Sequence, residues 1–187
     1  MSRQEVVWTV GVYCGHGIDT AGNNDVGTVW KKWTESGLMK DITGACVQYL
    51  RGSGVKVVTD WPGNKINMIK QVAKSNQKNV SLHVAFHCDY PPAESGTLPL
   101  YVSREGRKLA EMMNKYVTKY VGIRTRGLGY RSDLYELNKT HMPAVVFECG
   151  AIKADNKVLR KKADEYGKGA ARGICKYLGV TFTGKKA

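Results

Sequence analysis

Four residues of this chain could do chemistry together. His16 stands between two glycines in "YCGHGID", directly after the apolar run "VVWTVGVYC". His83 lies inside the apolar segment "NVSLHVAFH", and Glu148 falls near the end of "PAVVFECG". A carboxylate in an apolar strand is expensive to bury unless it is paired or bound to a metal. Glu35 heads an amphipathic segment, where an acid also suits the positive end of a helix. Two histidines and one carboxylate make the ligand set of a catalytic zinc site, which leaves a fourth position for water. A second carboxylate outside that set can take a proton from the water.

Other arrangements fit less well. His83 and His87 are four apart, as in an H-E-x-x-H helix, but "HVAFH" carries Val84 where the glutamate belongs and reads as a strand. Positions 83 and 87 share a strand face, so His87 is expected beside the metal or the substrate and not as a ligand. His141 in "KTHMP" reads as a loop residue. Cys14 and Cys88 lie near the histidines and are minor ligand candidates. The chain has no Walker A motif, no G-x-G-x-x-G opening a helix and no G-x-S-x-G elbow. Nucleotide binding and serine-esterase chemistry are disfavoured accordingly.

These residues need a scaffold. Strands are expected at 6–14, 55–59, 79–87, 97–103 and 143–150, and helices at 35–52, 65–75, 104–121 and 156–178, with Ser103 capping the third helix. The segment 122–142 reads as a loop rich in glycine and arginine. Strands alternate with helices, which predicts an α/β fold: one domain with a mostly parallel, mixed central sheet and helices on both faces. Open sheets of this kind place their sites at the carboxyl ends of the strands. The domain is expected to occupy 1–181, with 182–187 a frayed tail or the start of a linker.

Composition narrows the class. The chain has 187 residues and a hydrophobic content of 42%, enough for one full-sized core. No apolar stretch is long enough to span a bilayer, and "MSRQEVVWTV" does not read as a signal peptide. Synthesis in a cytoplasm is therefore expected. Five scattered cysteines without a C-x-x-C pair read as small buried apolar residues and not as a disulfide framework. The net charge of +13 points to a polyanionic partner. No nucleic-acid-binding signature accompanies it, so no specific nucleic acid is expected.

Taken in order, the segments resemble the zinc-dependent N-acetylmuramoyl-L-alanine amidases of the Amidase_3 type, which occur in bacterial wall hydrolases and phage endolysins. The resemblance rests on "CGHGID" for a histidine-bearing glycine turn, on "TESGLMKDITGACVQYLRGSGVKVV" for a glutamate before a helix, on "SLHVA" for a histidine strand and on "PAVVFECGA" for the closing glutamate. It covers roughly residues 6–178. It implies Zn2+ on His16, Glu35 and His83, with Glu148 as the catalytic acid–base group. It also implies hydrolysis of the amide between N-acetylmuramic acid and L-alanine in peptidoglycan. "RSDLYELNKTHMPAVVFE" looks more like the endolysin branch; Arg131, like His87, is a candidate for a place beside the metal or the substrate. The sequence departs from the family at Ile18, Ala85 and Ala151. On this reading the polyanion is an anionic cell-wall polymer. A zinc peptidase cutting within the stem peptide would use the same ligands, and a non-catalytic basic module binding wall polymer or nucleic acid is the other alternative.

Overall fold

The computed structural model describes residues 7–187. The amino-terminal stretch "MSRQEVVWTV" falls largely outside them, as does residue 6 of the first expected strand.

Among the described residues, ten strands and six helices follow one another. They are β1 (Thr9–Cys14), β2 (Gly17–Ile18), β3 (Asn24–Asp25), β4 (Val29–Trp30), β5 (Trp33–Thr34), α1 (Glu35–Gly52), β6 (Lys56–Val58), α2 (Met68–Gln77), β7 (His83–Asp89), β8 (Leu98–Tyr101), α3 (Arg104–Val121), β9 (Gly129–Tyr130), α4 (Tyr135–Lys139), β10 (Ala144–Ala151), α5 (Asn156–Lys161) and α6 (Ala163–Leu178). The main sheet has six strands in the order β6-β1-β7-β10-β8-β9. Among the described residues of this sheet, only the β10–β8 pair is antiparallel. The expected mixed, mostly parallel sheet is what forms.

Its central strands β1, β7 and β10 are buried on both faces along most of their length, as parallel strands must be. Helix α6 packs against both α1 and α3, while α2 packs against α4. The α3–α6 seam is tight. A β-carbon on Gly173 would lie 2.6 Å from Met113 Cα, and one on Gly169 would lie 2.7 Å from Val117 Cα. Glycine there lets two backbones approach where side chains would hold them apart.

Caps set the helix limits. Thr34, Asn67 and Ser103 accept hydrogen bonds from the backbone N–H of Gly37, Lys70 and Gly106, so α1, α2 and α3 begin after them. Helix α2 therefore starts three residues later than its apolar periodicity suggests. The helix expected over 156–178 is broken at Lys162, whose Nζ donates to the Val121 carbonyl at 2.6 Å. The segment expected as a loop at 122–142 contains β9 and α4. Nor is 182–187 frayed: Ala187 N–H donates to Gln48 O at 3.1 Å, Thr183 Oγ1 to Gly52 O at 3.0 Å, and Lys186 pairs with Asp164 at 2.6 Å.

All five cysteines are buried and unpaired. Among the described residues no helix is long and apolar enough to cross a membrane.

Candidate metal and acid–base site

The site forms where β1, β7 and β10 end at the same edge of the sheet. The chain leaves β1 through Gly15 and turns at His16, whose φ of 66° lies in the left-handed region, followed by Gly17 at 111°. That turn is why a histidine stands between glycines. A β-carbon on Gly15 would collide with the His87 ring, and one on Gly27 would lie 2.7 Å from Glu35 Oε2. The glycines make room for functional side chains to converge.

Glu35, the first residue of α1, is buried and held from several sides. Its Oε2 accepts from Thr28 N–H at 3.0 Å, and its Oε1 accepts from Cys88 N–H at 3.0 Å. Oε2 lies 3.2 Å from His16 Nε2, and Oε1 lies 3.0 Å from His87 Nδ1. His16, Glu35 and His87 thus each offer a ligand atom within 4.8 Å of the others.

His83 does not join them, and this corrects the expected grouping. It opens β7, whereas His87 lies near the carboxyl end of the same strand. Four residue steps along the strand separate them by about 13 Å of backbone. His83 is fully buried, stacked on Tyr13 at 5.1 Å, with Nδ1 2.9 Å from Ser75 Oγ. His87, expected only as a neighbour of the site, occupies the position the sequence reading gave to His83.

Glu148 is where the sequence placed it, near the end of β10, and pairs in register with His87. Its Oε2 is buried and has no hydrogen-bond partner among the described residues. Burial raises its carboxyl to about 7 against the attraction of His87, with Asp89 and Glu35 adding to the rise. Glu35 behaves oppositely. Burial would raise it, but His16 and His87 outweigh that and hold it far below the ordinary carboxylate range. Burial likewise opposes protonation of His16 and His87; Glu35 beside the first, and Glu136 with Glu35 beside the second, raise both. Two carboxylates in one site are thereby pushed apart, which is how acid–base roles are divided.

Glu136 was not singled out in the sequence. It is buried in α4, with its carboxylate 3.7 Å from both His83 Nε2 and His87 Nε2. No strand pattern leads to it, because α4 is one short turn inside a segment that reads as loop. Arg131 is exposed and forms a bidentate pair with Asp133 at 2.7 Å on both arms; it is not drawn into the cluster. Cys14 donates to the Gly15 and Ser36 carbonyls, and neither it nor Cys88 belongs to the ligand cluster. His141 is exposed. A cleft of about 270 Å³ opens onto the site, lined among others by His16, Asp25, Met68, Gln71, His87 and Glu136.

The family model for N-acetylmuramoyl-L-alanine amidase (Amidase_3) matches residues 10–176, which includes every residue of this site. The chain belongs to that family. Solved structures of N-acetylmuramoyl-L-alanine amidases superpose closely. N-acetylmuramoyl-L-alanine amidase AmiC2 of Nostoc punctiforme has a TM-score of 0.83 at 23% identity, covering 92% of this chain and 97% of that one. The catalytic domain of CwlV from Bacillus (Paenibacillus) polymyxa var. colistinus gives 0.83 at 23%, covering 94% and 100%. An N-acetylmuramoyl-L-alanine amidase from Clostridium difficile 630 gives 0.81 at 24%, covering 92% and 97%. Among curated sequences, an uncharacterized 38.4 kDa protein of Clostridium perfringens is 34% identical over 118 residues, 56% of this chain and 33% of that relative. The matched stretches thus span only 33–39% of the length of such relatives.

Proposed function

We propose that this Amidase_3 domain hydrolyses the amide between N-acetylmuramic acid and the L-alanine of the stem peptide, using one divalent metal, zinc, on His16, Glu35 and His87. The observation that carries the reading is the convergence of those three donors beside Glu148, whose buried Oε2 has no hydrogen-bond partner among the described residues. Two imidazoles and a carboxylate are a donor set that zinc takes in hydrolases. A zinc ion bound there would supply Lewis acidity toward the scissile carbonyl and the attacking water.

The protein's own groups do the rest. Glu148, held near 7 by burial, accepts a proton from the attacking water at neutral pH and returns it to the departing amine. Glu35 stays ionised as a ligand because two histidines and two backbone N–H groups face its oxygens. The glycine turn at His16 and the end of β7 bring both imidazoles to that carboxylate without a flexible linker.

The charge supports a wall-bound substrate. Lys31, Lys32, Lys153, Lys157, Arg160 and Lys161 are exposed, and none is ion-paired among the described residues. Arg160 lies 4.6 Å from the Trp33 ring and Lys153 lies 5.0 Å from Trp30, which joins α5 and the β4–β5 hairpin into one basic surface next to Glu35. An anionic wall polymer would be drawn to it, and binding to purified walls should then fall steeply as salt rises. The endolysin role belongs to the same reading, as does action on the wall after release from a host cytoplasm. It predicts that the domain clears turbid wall suspensions.

The deciding experiment is digestion of purified peptidoglycan. New alanine N-termini with intact glycan strands support the amidase. New termini at any other stem residue would indicate a peptidase and reject it.

A further inference from the structure

His16 and His87 are presented to Glu35 in the same way. Each turns one ring nitrogen toward the Glu35 carboxylate and the other toward a second carboxylate. For His16 these are Nε2 toward Glu35 and Nδ1 toward Asp25, at 3.2 and 2.8 Å. For His87 they are Nδ1 toward Glu35 and Nε2 toward Glu136, at 3.0 and 3.7 Å. Asp25 is partly exposed, whereas Glu136 is buried. The other Glu136 oxygen faces His83 Nε2, also at 3.7 Å. That nitrogen is buried and has no hydrogen-bond partner among the described residues. The far side of the His83 ring is fixed by Ser75 Oγ, which in turn lies 3.3 Å from the Tyr13 hydroxyl.

Stability does not explain this arrangement. Desolvating a carboxylate and an imidazole costs more than their attraction commonly returns, and apolar groups of the same volume often serve the fold as well or better. A metal-binding histidine, by contrast, gains orientation and basicity when its second nitrogen faces a carboxylate. On the metal reading given above, we propose that Glu136 is a positioning residue. It holds the His87 ring with Nδ1 toward the metal, and buried His83 holds Glu136 in turn. His83 thus acts on the site at one remove, through α4.

The test is Zn2+ affinity of the full chain, measured by competition with a chromogenic chelator at pH 7. Glu136→Gln should weaken Zn2+ by about 10–100-fold while still binding one ion per chain at saturation. The paired replacement His83→Phe with Glu136→Leu separates support of the metal from support of the fold. Its metal-free melting temperature should be kept or raised, yet its Zn2+ affinity should fall as in Glu136→Gln. Wild-type affinity in either variant overturns the proposal. So does loss of the stoichiometric ion in Glu136→Gln, which would make Glu136 a ligand. If the unmodified chain binds no Zn2+, the metal reading itself fails; if it binds Zn2+ and both variants match it, only this inference fails.

Discussion

The two ends of β7 hold the same side chain in opposite circumstances. At the amino end His83 is sealed among Tyr13, Ser75 and Glu136. At the carboxyl end His87 borders a cleft and faces Glu35, with Glu148 beside it in the next strand. Residue type, strand and face are identical, and only the position along the strand differs. In a parallel sheet that position decides function, because the loops and helix N-termini that supply partner groups cluster at the carboxyl edge.

The contrast can be broken most severely at the cleft end. His87→Ala should abolish both stoichiometric zinc and activity, whereas His83→Gln should retain one zinc per chain. Metal analysis of both proteins after dialysis is the check, and zinc retained by His87→Ala would remove the distinction. Next in size is Glu148→Gln, expected to lose about 10²–10⁴-fold in turnover with zinc content unchanged. Release of alanine N-termini from purified walls reads it directly.

A pH profile sharpens the same end. The base must be deprotonated to work, and the Glu148 carboxyl is raised to about 7. Activity should therefore decline as pH falls through about 7, approaching a tenfold loss per unit on the acidic limb, and Glu148→Gln should lose that limb. An acidic limb centred near 4 would mean that the carboxyl is not held up by burial. The smallest effect lies far from the cleft. Gly173→Ala forces a methyl into the α3–α6 seam and should cost about 1–3 kcal/mol by denaturant unfolding. Turnover per folded molecule should not change.

Much of the fold was readable because strong signals coincide. Apolar runs mark β1, β7 and β10, periodicity marks α1 and α3, and Ser103 behaves as the cap it resembles. Of the site, His16, Glu35 and Glu148 announce themselves as polar groups at the margins of apolar segments. Residue pattern alone does not tell the two histidines of β7 apart, because both lie on one strand and one face. The rule that sites form at strand carboxyl ends would have chosen His87. Glu136 left no local signal, since its role arises from α4 folding over two histidines far from it in sequence. The break at Lys162 and the docking of residues 182–187 leave no local signal for a related reason: both depend on contacts made only after folding, with Val121, Gln48 and Gly52.

The register of β7 on β10 has a further consequence. His87 and Glu148 occupy one rung of a hydrogen-bonded ladder, so their backbones cannot be moved apart singly. Slipping either strand by one residue would turn its functional side chain to the opposite face. Evolution or engineering can therefore adjust the spacing of this pair only through side-chain length and rotamer, and anyone grafting the chemistry onto another scaffold would have to carry both strands across together.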